Sequence, residues 1–265
     1  MRSTKIVATI GPASRTPAVL ERMIAAGMDL ARLNFAHGTI AEHQETVGLI
    51  RAASENVGKE IGILQDIPGP KLRLGPVDNG VCELHAGSRL VLTAEQVLGT
   101  SERLPVAWAG FSEIVEVGDV AYLADGAIRL RVKEISDGDV VTEVEVGGSV
   151  ASRQGINLPN VTVSLPAVSA TDLELIDAGV AMGVDVIALS FVRRREDLDP
   201  VRERLSHVPY GYEVPLIAKI EKPQAAANAA DIVDGADGIM VARGDLGIEL
   251  PIEEVPLVQK RLLYL

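Results

Sequence analysis

The chain has 265 residues, with 25 lysines and arginines against 37 aspartates and glutamates, a net charge of −12. That length fits one large domain or two modest ones, and 47% hydrophobic with 23% charged residues describes an ordinary globular protein. The acidic balance argues against nonspecific nucleic-acid binding, which needs a cationic footprint, but leaves room for a local basic pocket. The single cysteine, Cys82, cannot form an intramolecular disulfide, which fits a reducing compartment. The apolar stretch near the N-terminus is too short for a signal-peptide core, and no run approaches the ~20 apolar residues of a membrane span. The expectation is a soluble, cytoplasmic chain without nucleic-acid or membrane partners.

In chain order, six short apolar runs predict buried strands: Lys5–Ile10, Met28–Phe35, Ile61–Asp66, Val184–Phe191, Pro215–Ile220 and Gly238–Ala242. Each is nearly continuous in Val, Ile, Leu, Ala and Met, the pattern of parallel strands covered on both faces. Helices are predicted over Pro17–Ala26, stopping at Gly27, over Thr171–Met182 with Thr171 as N-cap, and over Ala225–Asp234 before Gly235. This alternation means βαβ units, hence an α/β fold.

The rhythm breaks between about residues 76 and 156. Ala127–Ile135 and Val140–Val146 alternate apolar and polar residues around Ser136-Asp-Gly-Asp, a hairpin signal. With Val81–Leu84, Arg89–Thr93 and Val120–Leu123, they predict a small antiparallel β domain inserted into the α/β one. The expected domains are 1–75, 76–156 and 157–265. The last stretch, from Pro251, opens like a helix with Glu253 and Glu254 in its first turn, then stops on Leu-Leu-Tyr-Leu. An apolar helix face with nothing after it reads as truncation.

Ligands of α/β sheets and barrels sit at the carboxyl ends of strands. The second strand ends in Arg32, Asn34 and His37, and the third in Asp66, followed by Lys71 and Arg73. The fourth gives Ser190 and Arg193, the fifth Lys219 and Glu221, the sixth Arg243, Gly244, Asp245 and Glu249. One polar strand end is ordinary, since strands must exit to solvent, but five with mixed signs point to a site. Glu221 and Asp245 suit one Mg²⁺, the alternative being ion pairs with Lys219 and Arg243. Lys219 suits a developing oxyanion, and Arg32, Arg73 and Arg243 suit phosphate oxygens. Gly244-Asp-Leu-Gly, placed before a short turn, can aim backbone N–H groups at a carboxylate or phosphate. Together these describe phosphoryl transfer on an anionic substrate. The chain has neither a P-loop nor a Gly-x-Gly-x-x-Gly signature. His43, His85 and His207 have no recognisable partner and read as structural or surface residues.

Lys5-Ile-Val-Ala-Thr-Ile-Gly-Pro-Ala-Ser, Ala31-Arg-Leu-Asn-Phe-Ala-His-Gly, Gly69-Pro-Lys-Leu-Arg, Asp125-Gly, Gly155-Ile-Asn-Leu-Pro, Leu165-Pro-Ala-Val-Ser, Ala218-Lys-Ile-Glu and Met240-Val-Ala-Arg-Gly-Asp-Leu-Gly-Ile-Glu resemble pyruvate kinase in order and spacing. The resemblance implies a TIM-type (β/α)8 barrel, here cut after about six strands, with a mobile β lid inserted after the third. It implies transfer of the phosphoryl group of phosphoenolpyruvate to ADP, giving pyruvate and ATP in glycolysis, with Mg²⁺ or Mn²⁺ as cofactor. By motif, Arg32 and Arg73 are phosphate contacts, and Lys219 lies beside the enolate and the transferring phosphoryl group. Glu221 and Asp245 are metal ligands, and the Ala242–Asp245 backbone, through Arg243 and Gly244, cradles the substrate carboxylate. His37, Arg73 and Arg153 fall on the nucleotide side, and Asp125 is the lid aspartate.

Several positions depart from the family. Asn34 and Asp66 match monovalent-cation ligands, but Ala36 and Ile67 replace hydroxyl residues, and Lys71 stands where potassium-dependent members resemble Gly-Pro-Glu-Ile-Arg. An ammonium there would supply the missing charge and repel K⁺, so K⁺ is expected not to be required. Gln154 follows Arg153 where a second lysine is frequent, removing one phosphate-side cation. The family's last two strands, a catalytic threonine and a C-terminal domain carrying effector binding and much of the tetramer interface would lie beyond Leu265. A homo-oligomer is expected of the full-length protein. The alternative is a catalytically incomplete fragment or pseudoenzyme that binds Mg²⁺ and phosphoenolpyruvate-like anions without turnover. A metal-dependent enolate lyase on a related barrel is disfavoured by the lid.

Overall fold

The computed structural model describes residues 3–69, 72–159, 166–209 and 211–265. Lys71 and part of the Leu165-Pro-Ala-Val-Ser motif lie outside them. Two compact units emerge, one of Met1–Pro70, Pro166–Ala242 and Tyr264–Leu265, the other of Lys71–Leu165 and Arg243–Leu263. The second unit thus includes a segment, Arg243–Leu263, that sequence reading groups with the barrel.

All six predicted parallel strands of the first unit form: Val7–Thr9, Leu30–Asn34, Gly62–Ile67, Val186–Leu189, Leu216–Ile220 and Gly238–Val241. They pair in strict chain order, each parallel to the next. Sequential order joined by right-handed crossovers puts every helix on one face, so the sheet curls to bury the other; a doubly wound sheet would reverse its order midway. This is the strand sequence of a (β/α)8 barrel over six consecutive strands.

The helices bury one apolar stripe each. Pro17–Ala25 buries Leu20 and Ile24, and Ile40–Val57 buries Val47, Ile50 and Ala53. The second of these went unread in the sequence, although Thr39 and Glu42 form a full capping box at its start. Ala170–Met182 is capped by Ser169, not Thr171, because Ser169 and Asp172 bond reciprocally. The single helix expected over Ala225–Asp234 is two, Pro223–Ala227 and Ala229–Gly235, broken at Asn228, whose side chain donates to Arg193 O at 2.9 Å.

Fully buried Gln65 bridges strand and helix, its Nε2 donating to Leu175 O at 2.7 Å. Gly179 lies opposite, where a Cβ would overlap the Gln65 amide and force it to shift.

At the amino ends of alternate strands one device recurs. Asp29, Asp185 and Asp237 each follow a glycine by two residues and each precede a strand. Each accepts a backbone N–H on its carboxylate, from Ile6 (2.7 Å), Ile63 (2.6 Å) and Leu216 (2.7 Å) respectively. Each returns its own N–H to the carbonyl of that same residue at 2.9 Å. A cation closes each set: Lys59, Arg51 and Arg202.

The second unit holds a six-stranded sheet in the order Ile156–Asn157, Val120–Leu123, Ile128–Ser136, Asp139–Val146, Arg89–Thr93, Arg103–Pro105. Val81–Leu84 pairs with Gly148–Ala151 beside it. The expected hairpin turns on Asp137-Gly138, both at positive φ (52° and 84°), as a two-residue loop matched to strand twist requires. The sheet is not wholly antiparallel: Arg89–Thr93 and Arg103–Pro105 run parallel. Leu90, Leu92, Leu104, Phe111, Leu123 and Leu130 fill its core. Arg243–Glu249, which holds Gly244-Asp-Leu-Gly, is a helix, and Pro251 opens a turn before the helix Val255–Leu262.

Candidate active site

At the carboxyl ends of the first unit's strands, four charged side chains converge. Arg32 donates from Nε to Asp66 Oδ2 at 2.6 Å and from Nη1 to Thr9 Oγ1 at 2.9 Å, with Nη2 also on Asp66. Lys219 reaches Asp66 Oδ1 at 3.0 Å and Glu221 Oε1 at 2.7 Å, and donates to Ser190 Oγ at 2.7 Å. Its three N–H groups therefore meet three acceptors. Glu221 Oε2 accepts the backbone N–H of Phe191 at 3.0 Å. Two cations face two carboxylates, so the group is neutral as a whole.

Asp66, Ser190, Lys219 and Glu221 are all buried, and Arg32 is half-buried. Burial pushes the Lys219 ammonium down, but Glu221 and then Asp66 outweigh it and raise it above its ordinary value. The magnitudes explain the order: at an effective dielectric near 20, each contact at this range is worth ~5 kcal/mol, and two such contacts exceed a desolvation of several kcal/mol. Lys219 is thus a fixed positive charge at neutral pH.

Glu221 pairs with Lys219 through Oε1, the contact expected of the ion-pair alternative, and its Oε2 stays on the Phe191 N–H. Asn34 Oδ1 accepts Ala36 N–H at 3.1 Å. His37 is exposed on the wall of a cavity of about 460 Å³ that Gly11, Arg15, Asn34 and His43 also line. His43, expected to lack a partner, stacks on Phe35 with ring centroids 3.9 Å apart and bonds His37 O at 2.8 Å.

Arg73, Arg153, Asp125, Arg243, Gly244 and Asp245 belong to the second unit. Arg73 is half-buried and donates to Arg153 O at 3.2 Å, placing these two arginines side by side. Arg153 sits at φ 61°, and Gln154 turns its Oε1 onto Ala151 N–H at 3.0 Å. Asp125, at φ 51°, is exposed on the turn Ala124–Gly126. That turn packs on the Arg243–Glu249 helix, where a Cβ on Gly126 would come 3.5 Å from Ile248 Cγ1. Arg243 and Gly244 are exposed and Asp245 half-buried in the first turn of this helix.

The family model for the pyruvate kinase barrel domain matches residues 1–265. The chain belongs to the pyruvate kinase family. It is 43% identical over 265 residues to a pyruvate kinase of Bacillus licheniformis, an alignment covering 99% of this chain and 45% of that protein. The pyruvate kinase of Thermococcus litoralis is 41% identical over 260 residues, covering 98% and 54%. That of Mycobacterium intracellulare is 43% identical over 264 residues, covering 100% and 56%. The chain spans about half the length of the curated relatives it matches. Among the described residues, no helix is long and apolar enough to cross a membrane.

Against this family background, Thr9 and Phe191 are the site neighbours that strand-end reading passed over. Thr9 is the last residue of the first strand and was legible from its position. Phe191 contributes only a backbone N–H, which no side-chain motif announces.

Proposed function

We propose that the protein catalyses phosphoryl transfer from phosphoenolpyruvate to ADP, giving pyruvate and ATP as a cytoplasmic glycolytic enzyme. The observation that carries this reading is Lys219, a buried, protonated ammonium held at the strand ends in a neutral cluster with Asp66, Glu221 and Arg32. In the reaction, the bond from phosphorus to the enol oxygen of phosphoenolpyruvate breaks and one to the terminal phosphate oxygen of ADP forms. The electron pair stays on the enol oxygen, and the enolate then gains a proton at carbon to become pyruvate. Lys219 stabilises that oxygen as charge develops. Arg32 and Arg73 hold phosphoryl oxygens bidentately, and the Arg243-Gly244-Asp245 backbone holds the substrate carboxylate. His37, Arg73 and Arg153 serve the nucleotide, with Asp125 on the lid.

Glu221 and Asp245, assigned by motif, are hard oxygen donors of the kind Mg²⁺ or Mn²⁺ takes, few protein carboxylates with several waters. Glu221 fits as a buried carboxylate fixed in direction by an ammonium and an N–H. Bound there, the ion neutralises charge on the transferring group. K⁺ is not required on this reading, because Lys71 stands where potassium-dependent members carry Glu and supplies the missing charge, while Ala36 and Ile67 remove oxygen ligands. The boundaries 1–75, 76–156 and 157–265 and a homo-oligomeric intact protein belong to the same proposal. Pyruvate formation from phosphoenolpyruvate and ADP by the intact protein tests it. Tight phosphoenolpyruvate binding without turnover would instead support an incomplete or non-catalytic member.

A further inference from the structure

We propose that Ser190 is a positioning residue that sets the direction of the Lys219 ammonium; this rests on the role given to Lys219 above. A lysine ammonium is a point charge on a flexible stem, and two carboxylates alone leave it free to slide between them. Ser190 supplies the third corner. Its Oγ accepts from Lys219 Nζ at 2.7 Å in buried space, while Glu221 Oε1 and Asp66 Oδ1 take the other two directions. The hydroxyl proton of Ser190 has its own outlet, Asp66 Oδ1 at 3.5 Å, which leaves lone pairs facing the lysine. Of the three acceptors Ser190 is the neutral one, so it directs the ammonium without adding negative charge beside it.

The backbone holds this hydroxyl in place. Phe191 adopts φ 58°, a left-handed conformation uncommon for a bulky residue and retained only where the surroundings demand it. In that conformation its N–H meets Glu221 Oε2 at 3.0 Å. Gly69, itself at φ 66°, makes room: a Cβ there would lie 3.0 Å from Phe191 Cδ2 and 3.3 Å from Ser190 O. Consecutive residues of one corner thus engage both members of the Lys219–Glu221 pair, Ser190 the lysine and Phe191 the glutamate.

The test uses the intact protein and the variants Ser190→Ala, Ser190→Cys and Ser190→Thr, with thermal stability checked for each. Ser190→Ala is expected to lower kcat roughly 10- to 100-fold, the scale of a misdirected group, with KM for phosphoenolpyruvate within about twofold. Ser190→Thr restores kcat to within about threefold, and Ser190→Ala adds no further loss in a Lys219→Met background. Ser190→Cys keeps the volume with a poor acceptor and serves if the alanine variant does not fold. Mn²⁺ affinity, read by electron paramagnetic resonance, stays within about twofold throughout, as expected if Ser190 acts through the lysine and not the metal ligand. Unchanged kcat in a folded alanine or cysteine variant, or failure of threonine to rescue, overturns the proposal. If the wild-type protein shows no turnover, the functional reading fails separately, and oxalate binding in the presence of Mn²⁺ judges Ser190. There, affinity lost in Ser190→Ala and regained in Ser190→Thr supports the role, and equal affinity overturns it.

Discussion

At the amino ends of the parallel strands, Asp29, Asp185 and Asp237 each take one backbone N–H and one cation, in three separate copies of one arrangement. At the carboxyl ends, Asp66 and Glu221 share Lys219, and Asp66 also takes Arg32, so that no pair is separable from the next. Exposure divides the two regions further. The Asp237 and Arg202 side chains are 45% and 37% exposed, whereas those of Lys219 and Asp66 are 9% and 2% exposed. Exposed pairs are worth ~0–1 kcal/mol each, but removing one partner of a buried set costs ~3–5 kcal/mol. The amino ends thus register strand against strand in modest increments. The carboxyl ends concentrate charge that contributes little to stability when intact but is costly to leave unbalanced, and a reaction site needs such charge.

The largest effect that would sharpen this contrast is at Lys219. Lys219→Met in the intact protein is expected to lower phosphoryl transfer by on the order of 10³-fold or more while Mn²⁺ binding is retained. Its unfolding free energy should fall by ~3–5 kcal/mol, because Glu221 stays buried without the Lys219 ammonium and Asp66 keeps only Arg32. Near-wild-type turnover would end the role assigned to this residue. At the other end, Asp185→Ala should cost about 1–2 kcal/mol in denaturant unfolding, mostly from the lost bond to Ile63 N–H, with kcat within about twofold. A large kcat loss there would erase the division between the two ends.

Acid and alkali should separate the regions as well. Burial pushes the Asp237 carboxyl up, but the Leu216 N–H and Arg202 outweigh it and hold it below its ordinary 3.8. Its contribution is therefore full above about pH 4 and lost as pH falls through the depressed folded value, an effect of under ~1 kcal/mol given its exposure. Lys219 is the reverse case: raised above 10.5, it contributes fully below that value and loses its contribution as pH climbs through the folded one. Stability measured against pH for Asp237→Asn should flatten the acid limb and leave the alkaline limb alone. The smallest expected effect is the exchange of K⁺ for Na⁺, which should change activity by less than about twofold; strong K⁺ stimulation would mean the Lys71 ammonium does not replace it.

Much of the fold was legible because buried parallel strands are continuous apolar runs and the hairpin at Asp137-Gly138 carries its turn type in two residues. The cap at Ser169 was misplaced by two positions because Ser169 and Thr171 are both good caps, and only the bond to Asp172 distinguishes them. The break at Asn228 was invisible in an alanine-rich stretch, since it depends on a carbonyl at Arg193. The residues of the site could be named from strand ends and motifs. Their partners could not: that Asp66 faces two cations, or that Ser190 meets Lys219, follows from which strands are neighbours and how far each extends.

The sequence by itself determined the strand runs, the interrupted βα rhythm and the family, because these reside in local periodicity and in contiguous motifs. Only the tertiary structure decided the pairing of charges at the two ends of the sheet and the left-handed corner at Phe191 that faces Gly69. Those contacts join side chains and backbone groups far apart in the chain. Their geometry is fixed by strand register and by the space a missing Cβ leaves, and neither is written in any local stretch of residues.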